Sequence, residues 1–489
     1  MSNALSPFFY NARPTNAFSL SCYPWPVRRA VFLLSLLGLG SLGLGSLGQA
    51  PAPAAVTLLR EPAPSAAVQA LLRGLPRNVR AAVLVRDVQG GRVLASLGAD
   101  QPFIPASTLK TVTGAAVLVS RQGAQGWWST ELTVPAAQQG QAAVSTLTVR
   151  GTADPTLSVS GGPNSLRELA RQAYAGGLRS VGAVQIDETR LDADSFKGTV
   201  YDAPMPAVRL SEWERNPPQS AALARTRLGS ALIAELKRAG IAVKNEAVGA
   251  APAYTPYKPP VLKDKDGKVL PPDLVIPLSR RPEQAIASVR SGPVTDFVDS
   301  TLRPSDNARA EMLLATLAVR PTGDGTLQGA VAREKQILAS LGVELAGLSF
   351  EDGSGLGRGS KLTARALNDL LQVMYDLPYA TAQAALPRAL YQTHQNAFIE
   401  ALPLAGTGEN LPAHGGRGGT MAQRLVGSGL DVRAKTGTLP GVSSLAGYVT
   451  AKSGRLLTFA IMMNGPETAP LLELRAVQDR MVRQIAAEF

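Results

Sequence analysis

Beyond an apolar opening, the chain alternates short runs of period-two hydrophobicity with longer runs of helical period. Val79–Arg86 and Arg92–Ser96 read as strands on either side of Asp87–Gly91, a hairpin signal. Ser107–Ser120 follows as a largely apolar helix. From about Gln122 to Gly292 the texture changes to short strands, such as Ser145–Val149 and Val181–Ile186, turn clusters, and helices at Ser165–Tyr174 and Arg225–Ala239. After Pro293 helical patterns dominate again, at Asp296–Leu302, Ala308–Val319, Gly329–Leu341 and Thr363–Tyr375. Ser444–Thr450 and Leu456–Met463 then read as strands and Pro470–Phe489 as a closing helix. Strands near both ends with helices between them predict an α+β domain whose sheet joins the two chain ends. The middle block looks inserted, and no internal repeat is visible.

The opening is a leader. Arg28 and Arg29 precede an apolar run from Ala30 to Leu47, followed by Gly48-Gln49-Ala50 and the Pro/Ala stretch to Ala55. Basic flank, apolar core and small-residue site are the parts of a secretory signal, so residues 1–50 are expected to be removed on export. The alternative is an uncleaved anchor, since 18 apolar residues lie at the lower edge of a bilayer span. Gly38, Gly40, Gly43 and Gly45 weaken a spanning helix. The 27 residues before Arg28 are long for a leader, which leaves a downstream start, for instance at Val27, open. The lone cysteine, Cys22, precedes the apolar run and would leave with it, so the mature chain forms no disulfide. Gly38–Gly43 spells GxGxxG, but inside a targeting segment rather than between a strand and a helix, so it carries no nucleotide-binding signal.

At 489 residues, 45% hydrophobic and 18% charged, the chain is a folded protein of two or more domains. Of its net +12, three charges lie in the leader, where no acid offsets them. The rest show no long Lys/Arg run and no aromatic-interleaved basic stripe, so no nucleic-acid partner is expected. Lys263–Lys268, between prolines, reads as an exposed hairpin or loop tip; its acids only faintly suggest a calcium loop, because the later ligand positions are missing. No His/Cys/Asp cluster has metal-ligand spacing, and neither a metal nor a cofactor is expected. His394 and His414 lie near nothing like a nucleophile elbow, which argues against a Ser-His-Asp enzyme.

Three short motifs carry chemistry. In Ser107-Thr108-Leu109-Lys110, a helix starting at Ser107 stacks the serine and the lysine on one face. A serine hydroxyl needs a base to become a nucleophile, and a half-buried lysine can lose its proton and become that base. The bland alternative is an N-capping serine with a solvated lysine, and about one SxxK is expected by chance in such a chain. Ser305-Asp306-Asn307 follows Arg303-Pro304 and, alone, is simply a helix start. Read functionally, Ser305 joins a proton relay with Lys110, while the Asn307 amide holds a substrate carbonyl and faces Lys110 without adding charge. Lys435-Thr436-Gly437-Thr438 sits on a strand before the turn Leu439-Pro440-Gly441. Gly437 is expected to let a substrate backbone lie flush against an edge strand, with Lys435 and Thr436 meeting a C-terminal carboxylate.

SxxK, SxN and KTG in that order resemble the active-site set of the penicillin-recognising serine enzymes. Within them the chain resembles the class C penicillin-binding proteins with D-Ala-D-Ala carboxypeptidase and endopeptidase activity. Phe103–Ser107, Gly151–Leu157, Glu351–Leu356, Leu402–Gly406 and Val432–Tyr448 all match that family's pattern, and the similarity runs from about residue 57 to the end. The separation of 198 positions from Ser107 to Ser305 exceeds the spacing of simple serine β-lactamases by an inserted domain or two. The resemblance implies an antiparallel sheet flanked by helices, plus an all-helical region, in two parts (51–121 and 293–489), with a β-rich accessory insertion at 122–292. It implies Ser107 as nucleophile, Lys110 as base, Ser305 as proton carrier, and Asn307, Lys435, Thr436, Gly437 and Thr438 as substrate-binding residues. The backbone N–H groups of Ser107 and Thr438 would form the oxyanion hole. Peptidoglycan stem peptides are the implied substrates and β-lactams the covalent inhibitors, in the periplasm or cell envelope. Departures are the glycine-rich His414–Gly419 before Thr420, and Arg309, which could alter charge near the site. Glu311 reads as a helix-surface or supporting residue rather than a base. A β-lactamase-like hydrolase or a non-catalytic wall-binding protein of the same fold are the alternatives, the first lacking an evident deacylating glutamate.

Overall fold

The computed structural model describes residues 61–121, 123, 126–198, 202–252, 261–270, 282–376, 396–410 and 416–489. The segment read as a leader, with Cys22 and the GxGxxG, lies outside these residues, as do His394 and His414. The described chain opens with α1 (Ala66–Arg73), β1 (Arg80–Asp87), β2 (Val93–Leu97) and α2 (Leu109–Ser120). Next come β3 (Ser129–Pro135), β4 (Ala143–Gly151), α3 (Leu166–Ala175), β5 (Ser180–Ile186), α4 (Ala221–Arg238), β6 (Ala242–Ala250) and β7 (Glu283–Arg290). Helices α5 (Val294–Leu302), α6 (Asn307–Ala318), α7 (Leu327–Ser340), α8 (Ala364–Asp376) and α9 (Ala397–Ala401) follow. Strands β8 (Val432–Leu439), β9 (Val442–Thr450) and β10 (Leu456–Asn464) lead to α10 (Leu471–Glu488).

Two five-stranded sheets result. The first runs β2-β1-β10-β9-β8 and is antiparallel throughout. Its β1–β10 pairing, from Arg80 opposite Asn464 to Asp87 opposite Leu457, joins the two ends of the chain, as the placement of strands predicted. Period-two alternation divides its side chains between two cores. Val83, Val85, Phe459, Ile461 and Leu445 pack with α10, whereas Ala82, Leu84, Ala460, Met462 and Tyr448 pack with the helical region. Helix α2 is buried from Leu109 to Leu118 without a solvated face, so it is the central helix of that region rather than a surface amphipath. The fold is α+β.

The second sheet runs β6-β5-β4-β3-β7 and draws every strand from between the first two motifs. Strands β4, β5 and β6 are parallel, with α3 and α4 as crossovers, and β3 is antiparallel to both β4 and β7. Most of this block has its own core of Leu132, Leu147, Val181, Leu232 and Val289 among others. Ala153, Leu191, Phe196 and Met205 instead join the core around α2, because the connections after β4 and β5 reach back over the helical region. Residues 261–270 belong to a separate unit and form a tight turn bridged between Lys263 and Val269, with Gly267 at φ +81°. The Asp264 carboxylate there accepts the backbone N–H groups of Asp266 and Lys268, which is turn chemistry. Among the described residues no helix is long and apolar enough to cross a membrane.

Candidate active site

Ser107 lies in a 3-10 turn, Ala106–Thr108, that runs directly into α2. The turn needs Ala106 at φ +47°, a left-handed conformation that costs an L-residue on the order of 1–2 kcal/mol. Close packing holds it there. A Cβ on Gly355 would lie 2.0 Å from the Ala106 carbonyl oxygen, and one on Gly437 would lie 2.4 Å from that of Pro105. Only glycine fits at either place. Thr108 Oγ1 adds a 2.7 Å bond to the Pro105 carbonyl. Gly437 is therefore required by the serine turn packed against β8, a reason for glycine that the expected clearance for a substrate backbone did not include.

One turn on, Lys110 is fully buried. Its Nζ lies 2.9 Å from Ser107 Oγ, 2.7 Å from Asn307 Oδ1 and 2.6 Å from the Ser354 carbonyl oxygen. Burial lowers its pKa to about 8, against the opposing pull of Glu311, Asp352 and Asp306. A neutral amine has two N–H groups and one lone pair. Asn307 Oδ1 and the Ser354 carbonyl can only accept, so they take both N–H groups and leave the lone pair facing the serine hydroxyl.

The loop carrying Ser354 is anchored by buried carboxylates. Glu311 accepts the N–H groups of Gly353 and Ser354 at 3.0–3.2 Å. Asp352 accepts those of Ser354, Gly355 and Gly357 at 2.6–3.1 Å. Burial, then the charge of Asp352, pushes Glu311 up to about 7. Behind it, Thr113 Oγ1 lies 2.8 Å from Glu334 Oε1 and 3.0 Å from the Gly353 carbonyl, and burial pushes Glu334 up to about 8. Glu311 is thus no surface residue. It faces inward because α6 is covered on all sides, and every residue from Ala310 to Ala318 is buried.

Ser305 also adopts a left-handed conformation, φ +65°, just before the Asp306 side chain caps α6. Lys435 Nζ donates to Ser305 Oγ at 2.8 Å and to the Thr436 carbonyl at 2.9 Å. Lys435 is fully buried, and burial together with the charge of Lys110 holds its pKa well below the ordinary lysine range. These contacts redraw two expectations. The hydrogen-bond partner of Ser305 is Lys435 rather than Lys110, and the Lys435 ammonium expected to meet a C-terminal carboxylate points to Ser305. Thr436 Oγ1 donates to Thr420 Oγ1 at 2.8 Å, and Thr438 Oγ1 accepts from Arg475 at 3.1 Å. Strand β8 is a sheet edge, and residues 403–405 cover its first part through bonds from Ala434 to Pro403 and from Ala405 to Val432. The stretch bearing Thr436 and Thr438 faces the cleft instead.

Ser107, Ser305, Thr436 and Thr438 line one cleft of about 520 Å³, with Thr420 and Arg475 on its walls. Arg309 leaves little net charge nearby, because it pairs bidentately with Glu214 at 2.9 Å. Sequence reasoning missed the contributions of Ser354, Thr113, Glu334, Thr420 and Arg475. Glu351–Leu356 stood out as a segment, but its working group is a backbone carbonyl, which no side-chain pattern displays.

Two lysines, two serines and a KTG edge strand around one cleft, on this fold, define a serine peptidase of the penicillin-recognising type. Residues 65–212 and 262–487 match the D-Ala-D-Ala carboxypeptidase 3 (S13) family, and the chain belongs to that family. It is similar to the D-alanyl-D-alanine carboxypeptidase of Actinomadura sp. (strain R39), 28% identical over 463 residues covering 83% of this chain and 80% of the relative. Its fold is similar to that of penicillin binding protein 4 from Haemophilus influenzae, with TM-score 0.56 at 18% identity over 86% of this chain and 99% of the other. A second structure of that protein, complexed with a β-lactam, matches at TM-score 0.56 and 19% identity, over 86% and 99% of the two chains.

Proposed function

We propose that this carboxypeptidase removes D-alanine from peptidoglycan stem peptides through an acyl-enzyme on Ser107. The observation that carries the reading is the three-way coordination of Lys110, which leaves its lone pair for the Ser107 proton. Ser107 Oγ attacks the penultimate D-alanyl carbonyl as its proton passes to Lys110. Two buried ammonium groups then face each other, and their repulsion drives a proton from Lys435 through Ser305 to the leaving nitrogen as the C–N bond breaks. In deacylation, water adds to the acyl carbon and its proton returns through Ser305 to Lys435. Lys110 meanwhile reprotonates Ser107, and the starting state is restored. Asn307 has Oδ1 on Lys110, which frees Nδ2 for a substrate carbonyl, and the N–H groups of Ser107 and Thr438 stabilise the oxyanion.

The same route makes Ser107 the site of β-lactam acylation. The leader and the family support export to the cell envelope, with membrane contact only through an uncleaved leader. The second sheet supports reading 122–292 as an accessory block between the two catalytic parts. A β-lactamase reading is less well supported, because Glu311 is committed to backbone N–H groups away from the cleft. Labelling with fluorescent penicillin tests the site. Wild type is expected to be labelled on a Ser107 peptide, and label of equal strength on Ser107→Ala would remove it as nucleophile. Mass spectrometry of digested muropeptides distinguishes D-alanine release from cross-link cleavage.

A further inference from the structure

We infer that Glu334, buried on α7 behind the cleft, is a positioning residue that acts as a neutral carboxylic acid, ordering a hydrogen-bond chain through Thr113 to the loop that holds Lys110. The inference rests on the reading of Lys110 as the base and adds the support behind it. Thr113 stands one turn beyond Lys110 on α2, and both Thr113 and Glu334 are fully buried. The Thr113 hydroxyl lies 2.8 Å from Glu334 Oε1 and 3.0 Å from the Gly353 carbonyl oxygen. A hydroxyl carries one proton, and a carbonyl can only accept. Both contacts are hydrogen bonds together only if Thr113 donates to Gly353 while Glu334 donates to Thr113. An ionised Glu334 would compete for the same proton and leave one acceptor bare.

The surroundings agree. Among the described residues Glu334 forms no ion pair, and its Oε2 is buried without a hydrogen-bond partner. An unpartnered oxygen is tolerable on a neutral acid and far costlier on a carboxylate. Burial and the negative charges of Glu311 on α6 and Asp352 in the loop favour the protonated form, opposed by Lys335, the next residue along α7. The Lys335 ammonium itself lies over the Phe350 ring, 5.4 Å from its centre. The Gly353 carbonyl and the Ser354 N–H belong to one peptide group. A proton held on that oxygen therefore makes the N–H a better donor to Glu311 and Asp352, at 3.0 and 3.1 Å. The next carbonyl, that of Ser354, is the acceptor 2.6 Å from Lys110 Nζ. The chain thus runs in one direction, from the Glu334 proton to the group that leaves the Lys110 lone pair facing Ser107.

Infrared difference spectra of wild type against Glu334→Gln test the proton directly at pH 6, below the value of about 8 to which burial raises this group. A carboxylic C=O stretch is expected in the wild type and absent from the variant; a carboxylate band alone in the difference would overturn the inference. Glu334→Met removes the donor and is expected to lower the limiting rate of penicillin acylation by about 5- to 10-fold, as for one lost hydrogen bond, with the preceding binding step little changed. Glu334→Gln keeps an N–H for Thr113 and is expected to recover most of that rate. Equal losses in the two variants, or no loss with methionine, would rule out a donor role. Thr113→Val removes the next link and covers the case in which Glu334→Met does not fold; it should be slowed to a similar extent, and a wild-type rate would disprove the chain. The infrared band does not depend on which group is the base. A near-normal Lys110→Arg variant would sink the reading of Lys110, whereas a missing band would sink only the role of Glu334.

Discussion

Replacing Glu311 by glutamine is expected to make the protein more stable at alkaline pH and slower to acylate. Burial holds this carboxyl near 7 against an ordinary 4.5. Between those values the folded chain keeps a proton that the unfolded chain has released, so stability falls as pH rises through the window. By pH 8 the ionised carboxylate costs about 3 kcal/mol, at 1.36 kcal/mol per pKa unit. Glutamine removes the charge and keeps an oxygen for the Gly353 and Ser354 N–H groups, losing about 1 kcal/mol of charge-assisted bonding. The net is a gain of about 2 kcal/mol at pH 8, with little difference at pH 4.5 where the wild-type group is protonated. Function moves the other way. The loop presenting the Ser354 carbonyl to Lys110 is held less firmly, and the negative charge that keeps the Lys110 pKa up is gone. Guanidinium titrations at the two pH values, with stopped-flow penicillin acylation across pH 5–10, read both effects. The acylation profile should reach a lower plateau, with its rise displaced to lower pH. A variant no more stable than wild type at pH 8, or an unmoved profile, would refute the reasoning.

Lys110→Arg keeps the charge but offers no accessible neutral form, so acylation by fluorescent penicillin should fall by roughly 1,000-fold or more; a near-normal rate would exclude Lys110 as the base. Gly437→Ala puts a methyl group 2.4 Å from the Pro105 carbonyl and must push β8 away from the serine turn. It should cost about 1–3 kcal/mol in a urea titration and slow acylation as well, and a silent substitution would show that the turn is not wedged.

The elements were legible wherever periodicity was strong. The strands at both ends, the apolar helix after Ser107 and the helices after Pro293 all formed within a few residues of their expected bounds. Strands β3, β6 and β7 were not distinguished within the middle block. β6 is largely exposed and β7 half-buried, so neither carries a run of apolar residues. In the candidate site, which motifs would meet was legible and how their side chains connect was not. Ser107 and Lys110 are three apart on one helix, so their contact could be read from spacing. The pairing of Ser305 with Lys435 spans 130 positions and depends on a left-handed turn meeting an edge strand, which no local pattern encodes. Of the two places open to Glu311, a helix surface or a supporting position, sequence could not choose, because charge usually implies solvent except where backbone N–H groups replace water.

Two of the left-handed non-glycine positions lie in the candidate site and suggest why the proposed chemistry is built there. Ala106 and Ser305, both left-handed without being glycine, bracket the proposed proton path, one beside Ser107 and the other at its far end. Each conformation costs on the order of 1–3 kcal/mol and persists only if surrounding contacts over-determine it. They do so differently. Ala106 is wedged between the backbones opposite Gly355 and Gly437, so its strain is opposed by packing around its own buried position. Ser305 is held by a hydrogen bond from Lys435 and by the Asp306 cap that starts α6 in the next turn. Both serines consequently sit in tight turns that lead directly into buried helices, Ser107 ahead of α2 and Ser305 ahead of α6. The proposed two-proton cycle needs that rigidity. Its hydrogen bonds run between 2.6 and 2.9 Å, and a shift of one ångström at either serine would open the path before the lysines could exchange roles.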